Sequence, residues 1–161
     1  TPERWQGVVE DFLMIYEPQS VLDVGCAKGH MLYDFRRYRP FMKIGGVDIS
    51  PYAYAECLPS IKPFMFCCSA ELLPFGDKEF DLVISINTVH NLDRAGCIKA
   101  LQEIERVGNN AFISVDAYRT EEQKEAMLAW NLTALTILSA DEWKDLFREA
   151  GYTGDYSFWM P

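Results

Sequence analysis

The sequence predicts an α/β fold, a three-layer, doubly wound arrangement in which helices cover both faces of a mostly parallel sheet. Strand and helix patterns alternate through five units, and the connections between them are short. Residues 80–86, FDLVISI, are nearly all apolar, which is typical of a central strand covered on both faces. We therefore expect right-handed crossovers and a ligand crevice at the carboxyl ends of the strands.

The first half of the predicted sheet follows a lead-in helix within residues 1–18. Apolar residues recur there at helical spacing before Pro18. The first strand is predicted at residues 21–24 and the second at residues 43–49, and a helix with an apolar stripe ends between them at Pro40. This succession of strand, helix and strand is the repeating unit of a parallel sheet.

The second half of the sheet repeats the same unit. A third strand is predicted at residues 63–67 and a fourth at residues 80–86. Asp93 is a candidate N-cap for the helix that follows, and Gly108 is its expected end. The fifth strand is predicted at residues 111–115.

The C-terminal part is predicted to add two helices and one strand. The first helix covers residues 121–130, and residues 132–138 fit either a helix or a strand. Ser139 and Glu142 form a capping box that starts the second helix. A last strand is expected at residues 152–159.

We expect a single domain over residues 1–161, which is long enough for one substantial core. The sequence shows no internal repeat, low-complexity segment or interdomain linker. Within the domain, residues 1–18 form the lead-in helix, residues 19–118 a core that would bind the ligand of the predicted crevice, and residues 119–161 the C-terminal helices and strand.

The acidic composition argues against partners that carry phosphates. The formal net charge is −9 at pH 7 and the pI is about 4.7. Because nucleic-acid binders usually present a basic face, we expect neither nucleic acid nor a membrane surface as a partner. The sequence has no apolar run of about eighteen residues, so no membrane span is expected.

The five cysteines and two histidines predict no metal site. No two cysteines have the C-x-x-C spacing of a zinc cluster. Reduced thiols are the expected state, which favours a cytoplasmic protein. Because the first residue is Thr1 rather than methionine, we expect an upstream segment to precede it.

Residues 21–30, VLDVGCAKGH, predict a strand, a glycine turn and the start of a helix. In such a turn, backbone N–H groups and the positive end of the helix face the crevice, so a nucleotide-like ligand is expected. A tight turn without a ligand is the alternative. The dinucleotide fingerprint G-x-G-x-x-G requires a glycine at the position of His30. The pattern present is D-x-G-x-A-x-G, formed by Asp23, Gly25, Ala27 and Gly29.

Asp48 at the end of the second strand is a candidate ribose ligand. It follows Gly25 by 23 residues, close to the spacing of about twenty at which an acidic residue reaches a ribose. The two oxygens of a carboxylate can accept both hydroxyls of a ribose at once. A turn-forming role before Ser50 and Pro51 is the alternative.

Several motifs together resemble the class I S-adenosylmethionine (SAM)-dependent methyltransferases, in the branch acting largely on small molecules. The resemblance covers about residues 20–152 and includes the turn, although the family has glycine where this chain has Ala27. It implies a Rossmann-like methyltransferase fold, whose sheet usually closes with two final strands where this chain has room for one. The other motifs are GVDIS at 46–50, SAELLPF at 69–75, FDLVISINTVHNL at 80–92, ALQEIERV at 100–107 and EWKDLFREAGY at 142–152.

The resemblance implies that SAM is the cofactor and S-adenosylhomocysteine the product. The turn would hold the methionine part of SAM, Asp48 the ribose, and Ile49 one face of the adenine. Ser69 stands where related sequences often have the Asp that accepts from the adenine amino group, and Asn87 would face both cofactor and substrate. The implied cofactor contacts are Asp23, Gly25, Cys26, Ala27, Gly29, Asp48, Ile49, Ser69, Ala70, Glu71 and Asn87.

Methyl transfer from a sulfonium mainly requires alignment of the acceptor and exclusion of water. A base is also needed when the acceptor is a hydroxyl or a protonated amine. His90 is the catalytic candidate, since a neutral imidazole accepts a proton near neutral pH, and a local hydrogen-bonding role is the alternative. Asp116 and Tyr118 follow the fifth strand and either touch the substrate or only form a turn, and Trp130 is expected in the core.

The sequence therefore favours a SAM-dependent methyltransferase that transfers a methyl group to an O, N or C atom of a small-molecule acceptor. One alternative is a non-catalytic SAM-binding domain or a partner subunit of a larger enzyme. An NAD(P) oxidoreductase has less support, because His30 departs from the dinucleotide fingerprint. No motif specifies the acceptor or an oligomeric state.

Overall fold

The computed structural model describes residues 3–161, so residues 1 and 2 of the predicted lead-in segment lie outside it. The strands in this range are β1 (Ser20–Val24), β2 (Lys43–Asp48), β3 (Met65–Cys67), β4 (Phe80–Ile86), β5 (Gly108–Asp116) and β6 (Asp155–Trp159). They form one sheet in the order β3-β2-β1-β4-β5-β6, and every neighbouring pair is parallel. The order reverses between β1 and β4, which creates a crevice at their carboxyl ends.

Helices cover both faces of the sheet, which confirms the predicted three-layer fold. They are α1 (Gln6–Tyr16), α2 (His30–Tyr38), α3 (Pro51–Ala55), α4 (Arg94–Val107), α5 (Glu121–Trp130) and α6 (Ala140–Ala150). On one face, α1 and α2 bury Phe12 and Phe35 against the sheet. On the other face, α4 and α6 bury Leu101, Ile104 and Trp143. The burial of these large apolar side chains drives the layers together.

Local capping explains where the helices begin. Asp93 accepts the N–H of Gly96 at 2.7 Å and starts α4, as predicted. The predicted capping box of α6 is also confirmed, since the Ser139 hydroxyl accepts the N–H of Glu142 and the Glu142 carboxylate accepts the N–H of Ser139. Each cap satisfies N–H groups that have no partner inside the helix.

Several predicted boundaries were wrong by a few residues. β3 begins at Met65 because residues Lys62–Phe64 form a single 3-10 turn. β5 begins directly at Gly108, the residue predicted to end α4. β6 begins at Asp155, because Tyr152 packs in the core and its hydroxyl donates to the Asp155 carbonyl at 2.6 Å.

The closing region differs most from what periodicity predicts. Residues 132–138, which fitted either a helix or a strand, form an irregular segment. Within residues 3–161 the sheet closes with one strand, β6, which pairs in parallel with β5 from Phe112 beside Asp155 to Asp116 beside Trp159. This pairing brings the C-terminal strand to the carboxyl end of β5. Within residues 3–161, no helix is long and apolar enough to cross a membrane.

Candidate functional site

A cavity of about 440 Å³ opens at the carboxyl ends of β1, β2 and β4. A larger cavity of about 940 Å³ lies at the opposite end of the sheet, beside Pro18 and Pro40. In open parallel sheets, ligands bind at the carboxyl ends, so we place the candidate site in the first cavity. The sequence-predicted residues that line it are Gly25, Ala27, Asp48, Ile49, Ser69, Ala70 and Asn87.

The glycine turn is fixed by its own backbone and by β2. The N–H groups of Gly25 and Cys26 both donate to the Val47 carbonyl, at 2.7 and 3.0 Å. Gly25 has a φ of +83°, and a Cβ placed there would lie 1.9 Å from Oγ1 of Thr88. Position 25 therefore requires glycine for both its conformation and its space.

Ala27, the departure from the family pattern, also adopts a left-handed conformation with a φ of +47°. Such a φ costs an alanine roughly 1–2 kcal/mol relative to glycine. The Ala27 N–H donates to Oδ2 of Asp48 at 2.9 Å, which helps to hold this conformation. The loop keeps the shape of a glycine turn although its middle glycine is missing.

Asp48 connects the turn to the end of β2. Its Oδ2 accepts from Ala27, and its Oδ1 accepts the N–H of Ser50 at 2.9 Å. A carboxylate oxygen has two acceptor sites, so each oxygen can still accept a ligand hydroxyl. Asp48 is half-buried and lines the cavity, where such hydroxyls would meet it.

Asp23 lies beneath the turn and is 4% exposed. Burial, and secondly the charge of Asp48, raises its pKa to about 8. Among residues 3–161, no hydrogen bond to its carboxylate is found. A buried carboxylate without a donor is costly, and a cationic ligand nearby would stabilise its charged form.

The remaining predicted cofactor residues lie around the cavity rather than in its lining. Cys26 is buried with its Sγ 3.2 Å from Sδ of Met65, so it faces the core. Gly29 has a φ of +82° at the start of α2. Glu71 also lies outside the lining, and its backbone N–H donates to the hydroxyl of the lining residue Ser69 at 3.1 Å in the turn after β3.

A second cavity at this end of the sheet, of about 280 Å³, adjoins the first cavity of about 440 Å³, because Asn87 lines both. His90 and Asp116, both singled out from the sequence, line it together with Trp130. Trp130 was expected in the core, but it is 46% exposed and its ring packs edge-on against Trp159 at 5.0 Å. Two rings at a cavity wall suit an organic ligand better than an ion.

His90 and Asp116 are buried neighbours in this second cavity. Nε2 of His90 lies 3.9 Å from Oδ2 of Asp116, and Nδ1 of His90 accepts the backbone N–H of Asp116 at 3.0 Å. Burial lowers the pKa of His90 and raises the pKa of Asp116. Asn131, which sequence reasoning missed, donates to Oδ2 of Asp116 at 2.8 Å.

The lead-in segment reaches the crevice as well as the core. Trp5 and Arg4 line the first cavity, and the backbone N–H of Trp5 donates to Oδ2 of Asp34 at 3.1 Å. Asp34 is 1% exposed on α2, so this bond fixes the start of α1 beside the glycine turn. The segment before β1 therefore forms one wall of the site.

Comparison with known proteins gives one family and several similar folds. A family model described as "Methyltransferase domain" matches residues 22–110. The (4+2)-cyclase SpnF is similar with a TM-score of 0.72 and 20% identity over 92% of this chain and 57% of that chain. The YcgJ protein from Bacillus subtilis gives a TM-score of 0.72 and 20% identity over 89% of this chain and 67% of that chain. The MccD protein gives a TM-score of 0.70 and 20% identity over 92% of this chain and 72% of that chain. None of the curated proteins matches this chain.

Proposed function

The chain belongs to the methyltransferase-domain family, among the class I SAM-dependent enzymes, and from this we propose that it methylates an O, N or C atom of a small-molecule acceptor. The observation that carries the proposal is the turn over residues 25–29. It follows β1 at the point where the strand order reverses, and its Ala27 N–H donates to Asp48 at the end of β2. The chain spans 57% of the length of SpnF, so the activity of the whole protein is part of the proposal.

The residues of the first cavity fit SAM. Its volume of about 440 Å³ is within the range of about 300–1,000 Å³ for small-molecule sites. Asp48 has acceptor capacity for the ribose hydroxyls, and Asp23 is a buried carboxylate without a donor near the position proposed for the cationic methionine part. SAM supplies a methyl group on a strongly electrophilic sulfonium. The chain's own residues bind and orient it, and exclude water from the reacting atoms.

The second cavity is where we propose that the acceptor binds. It shares Asn87 with the first cavity, so an acceptor there would adjoin the bound cofactor. His90, the proton acceptor predicted from the sequence, lies in this cavity with Asp116, and its catalytic role stays a prediction.

A SAM-binding domain without methyl transfer, or a partner subunit, is the second candidate. The similarity to SpnF favours it, because that protein is named for a cyclisation although its fold is similar. An oxidoreductase is less favoured, because His30 starts α2 where the dinucleotide fingerprint has glycine.

Location and partners are also proposals. The cysteines at positions 26, 57, 67, 68 and 97 are unpaired, which favours a reducing, cytoplasmic environment. The net charge of −9 favours a small-molecule acceptor over nucleic acid or an anionic membrane.

Asp48→Ala should weaken SAM binding by about 1–3 kcal/mol, because the ribose hydroxyls and the Ala27 N–H would lose their acceptor. Isothermal titration with SAM measures this change. Asp48→Asn is the matched control: it keeps one acceptor oxygen and the side-chain volume, so its loss should be smaller. An unchanged affinity in Asp48→Ala would remove this residue from the site.

Incubation of the chain with methyl-labelled SAM and a metabolite extract separates the enzyme from the binder. We expect label in at least one small product. At a SAM concentration below the Kd of either chain, Asp48→Ala should incorporate roughly 5- to 150-fold less label, in line with its weaker binding. If SAM binds to the unmodified chain but no product carries label, the non-catalytic candidate is favoured.

A further inference from the structure

The hydrogen bond between Asp116 and His90 determines which of the two can take a proton. Nδ1 of His90 accepts the backbone N–H of Asp116 at 3.0 Å, so this nitrogen carries no proton. The neutral ring therefore has its proton on Nε2. The lone pair of Nδ1, which could otherwise take a proton, is occupied by the hydrogen bond from the Asp116 N–H. His90 can gain a proton only by giving up its bond to the Asp116 backbone.

Asp116 has the free acceptor that His90 lacks. Its Oδ2 accepts from Asn131 at 2.8 Å, whereas no hydrogen bond to Oδ1 is found within residues 3–161. The side chain is 8% exposed and lines the second cavity, so an O–H group bound there can reach it. The carbonyl of the same residue accepts the indole N–H of Trp143 at 3.0 Å, which fixes the backbone that presents the carboxylate.

The charged surroundings of this carboxylate are simple. His90 is the titratable group that faces it. The contacts from the C-terminal end of α5 and from α6 come from Asn131 and Trp143, which do not titrate. Burial raises the pKa of Asp116 above that of an ordinary aspartate. A carboxylate that is harder to ionise binds an incoming proton more strongly, which suits a general base.

The walls of the cavity indicate the kind of acceptor. The indoles of Trp130 and Trp159 meet edge to face at 5.0 Å and are 46% and 48% exposed. Half-exposed indoles present flat apolar surface that an aromatic ring covers well. A ring hydroxyl also has a moderately acidic proton, with a pKa of about 10, which a carboxylate can remove more readily than that of an alkyl alcohol.

Resting on the proposed methyl transfer, we propose that Asp116 is the catalytic residue that accepts the proton of an aromatic hydroxyl, and that His90 is a positioning residue. The acceptor oxygen forms its bond to the methyl carbon while the sulfur–methyl bond breaks and its electron pair stays on sulfur. The hydroxyl proton passes to Asp116, which later releases it to water. His90, as the Nε2–H tautomer, holds the backbone of Asp116 in place.

Paired variants separate the two roles. Asp116→Asn should slow transfer of label from SAM to a phenolic probe by about 10²–10⁴-fold while SAM affinity is unchanged. His90→Gln has an amide oxygen that can accept the Asp116 N–H but cannot take a proton, so its rate should stay within about tenfold of the unmodified chain. A His90→Gln loss as large as that of Asp116→Asn would overturn the assignment.

The probes are catechol and 4-hydroxybenzoate, with methoxybenzene and propylamine as controls. Label in a phenol and not in the controls is expected, and label in propylamine alone, or in none of them, would overturn the aromatic hydroxyl class. Nitrogen NMR of His90 provides a reading without turnover: we expect the Nε2–H tautomer at neutral pH, and an Nδ1–H ring would contradict the inference. Failure of SAM to bind at all would instead refute the proposed function.

Discussion

Gly25→Ala is expected to abolish SAM binding and to lower the free energy of unfolding by about 2–5 kcal/mol. The new Cβ would lie 1.9 Å from Oγ1 and 2.5 Å from Cγ2 of Thr88. A φ of +83° adds a second cost, since an alanine disfavours this region. If the turn moved to relieve this clash, the hydrogen bond from the Gly25 N–H to the Val47 carbonyl would break, and the groups that face the cofactor would be displaced.

Gly7→Ala is the matched control for this variant. Gly7 lies on α1, and a Cβ there would meet no atom within 4 Å. Alanine is favoured over glycine within a helix by about 1 kcal/mol, so this variant should be at least as stable as the unmodified chain. Chemical denaturation and SAM titration measure both variants. Normal SAM affinity in Gly25→Ala would contradict the role given to the turn.

The second large effect is the dependence of stability on pH through Asp23. Its folded-state pKa is raised to about 8 by burial and by Asp48, whereas an unfolded aspartate titrates near 3.9. The folded state therefore binds a proton that the unfolded state has lost. The stability linked to this group is fully present below about pH 4 and is lost as the pH rises through 8, by roughly 5 kcal/mol at most.

Asp23→Asn isolates this contribution, because the amide has the shape of the protonated acid but does not titrate. We expect this variant to be as stable as the unmodified chain only below about pH 4, and its advantage in stability should grow by several kcal/mol between pH 5 and pH 9. Denaturant titrations at the two pH values measure the difference. Equal stability of the two chains at pH 9 would mean that Asp23 is not held in its protonated form.

The same carboxylate should link SAM binding to proton release. A cation near Asp23 favours its charged form, so binding at about pH 6.5 should release close to one proton per SAM. Titration in two buffers of different ionisation enthalpy measures the number of protons. Asp23→Asn should release none and should also bind SAM more weakly.

Local sequence signals predicted most of the fold. Helix caps such as Asp93 and Ser139 act within three residues, and the apolar run of β4 identifies a central strand without knowledge of its neighbours. The glycine turn and Asp48 were also predictable, because the spacing between the first two strands of a parallel sheet is nearly fixed. That Asp48 would hold the Ala27 N–H was not predictable, since it depends on how the loop folds back.

The second cavity could not be predicted in the same way. It depends on the pairing of Asp116 beside Trp159 and on a segment at 132–138 that has no regular periodicity. Trp130 was predicted in the core because large aromatic residues are usually buried. Its actual exposure depends on its contact with Trp159 of β6, a strand distant in sequence, which the local pattern does not reveal. His90 was recognised as a titratable group near the crevice, but its bond to Asp116 joins residues 26 positions apart.

Isothermal titration of the chain with SAM, S-adenosylhomocysteine, NAD and NADP tests most directly whether the Gly25 turn and Asp48 bind an adenosyl sulfonium compound. We predict binding of the first two at micromolar concentrations and no binding of NAD or NADP. Binding of NAD without binding of SAM would contradict the proposed site and the methyl transfer that depends on it.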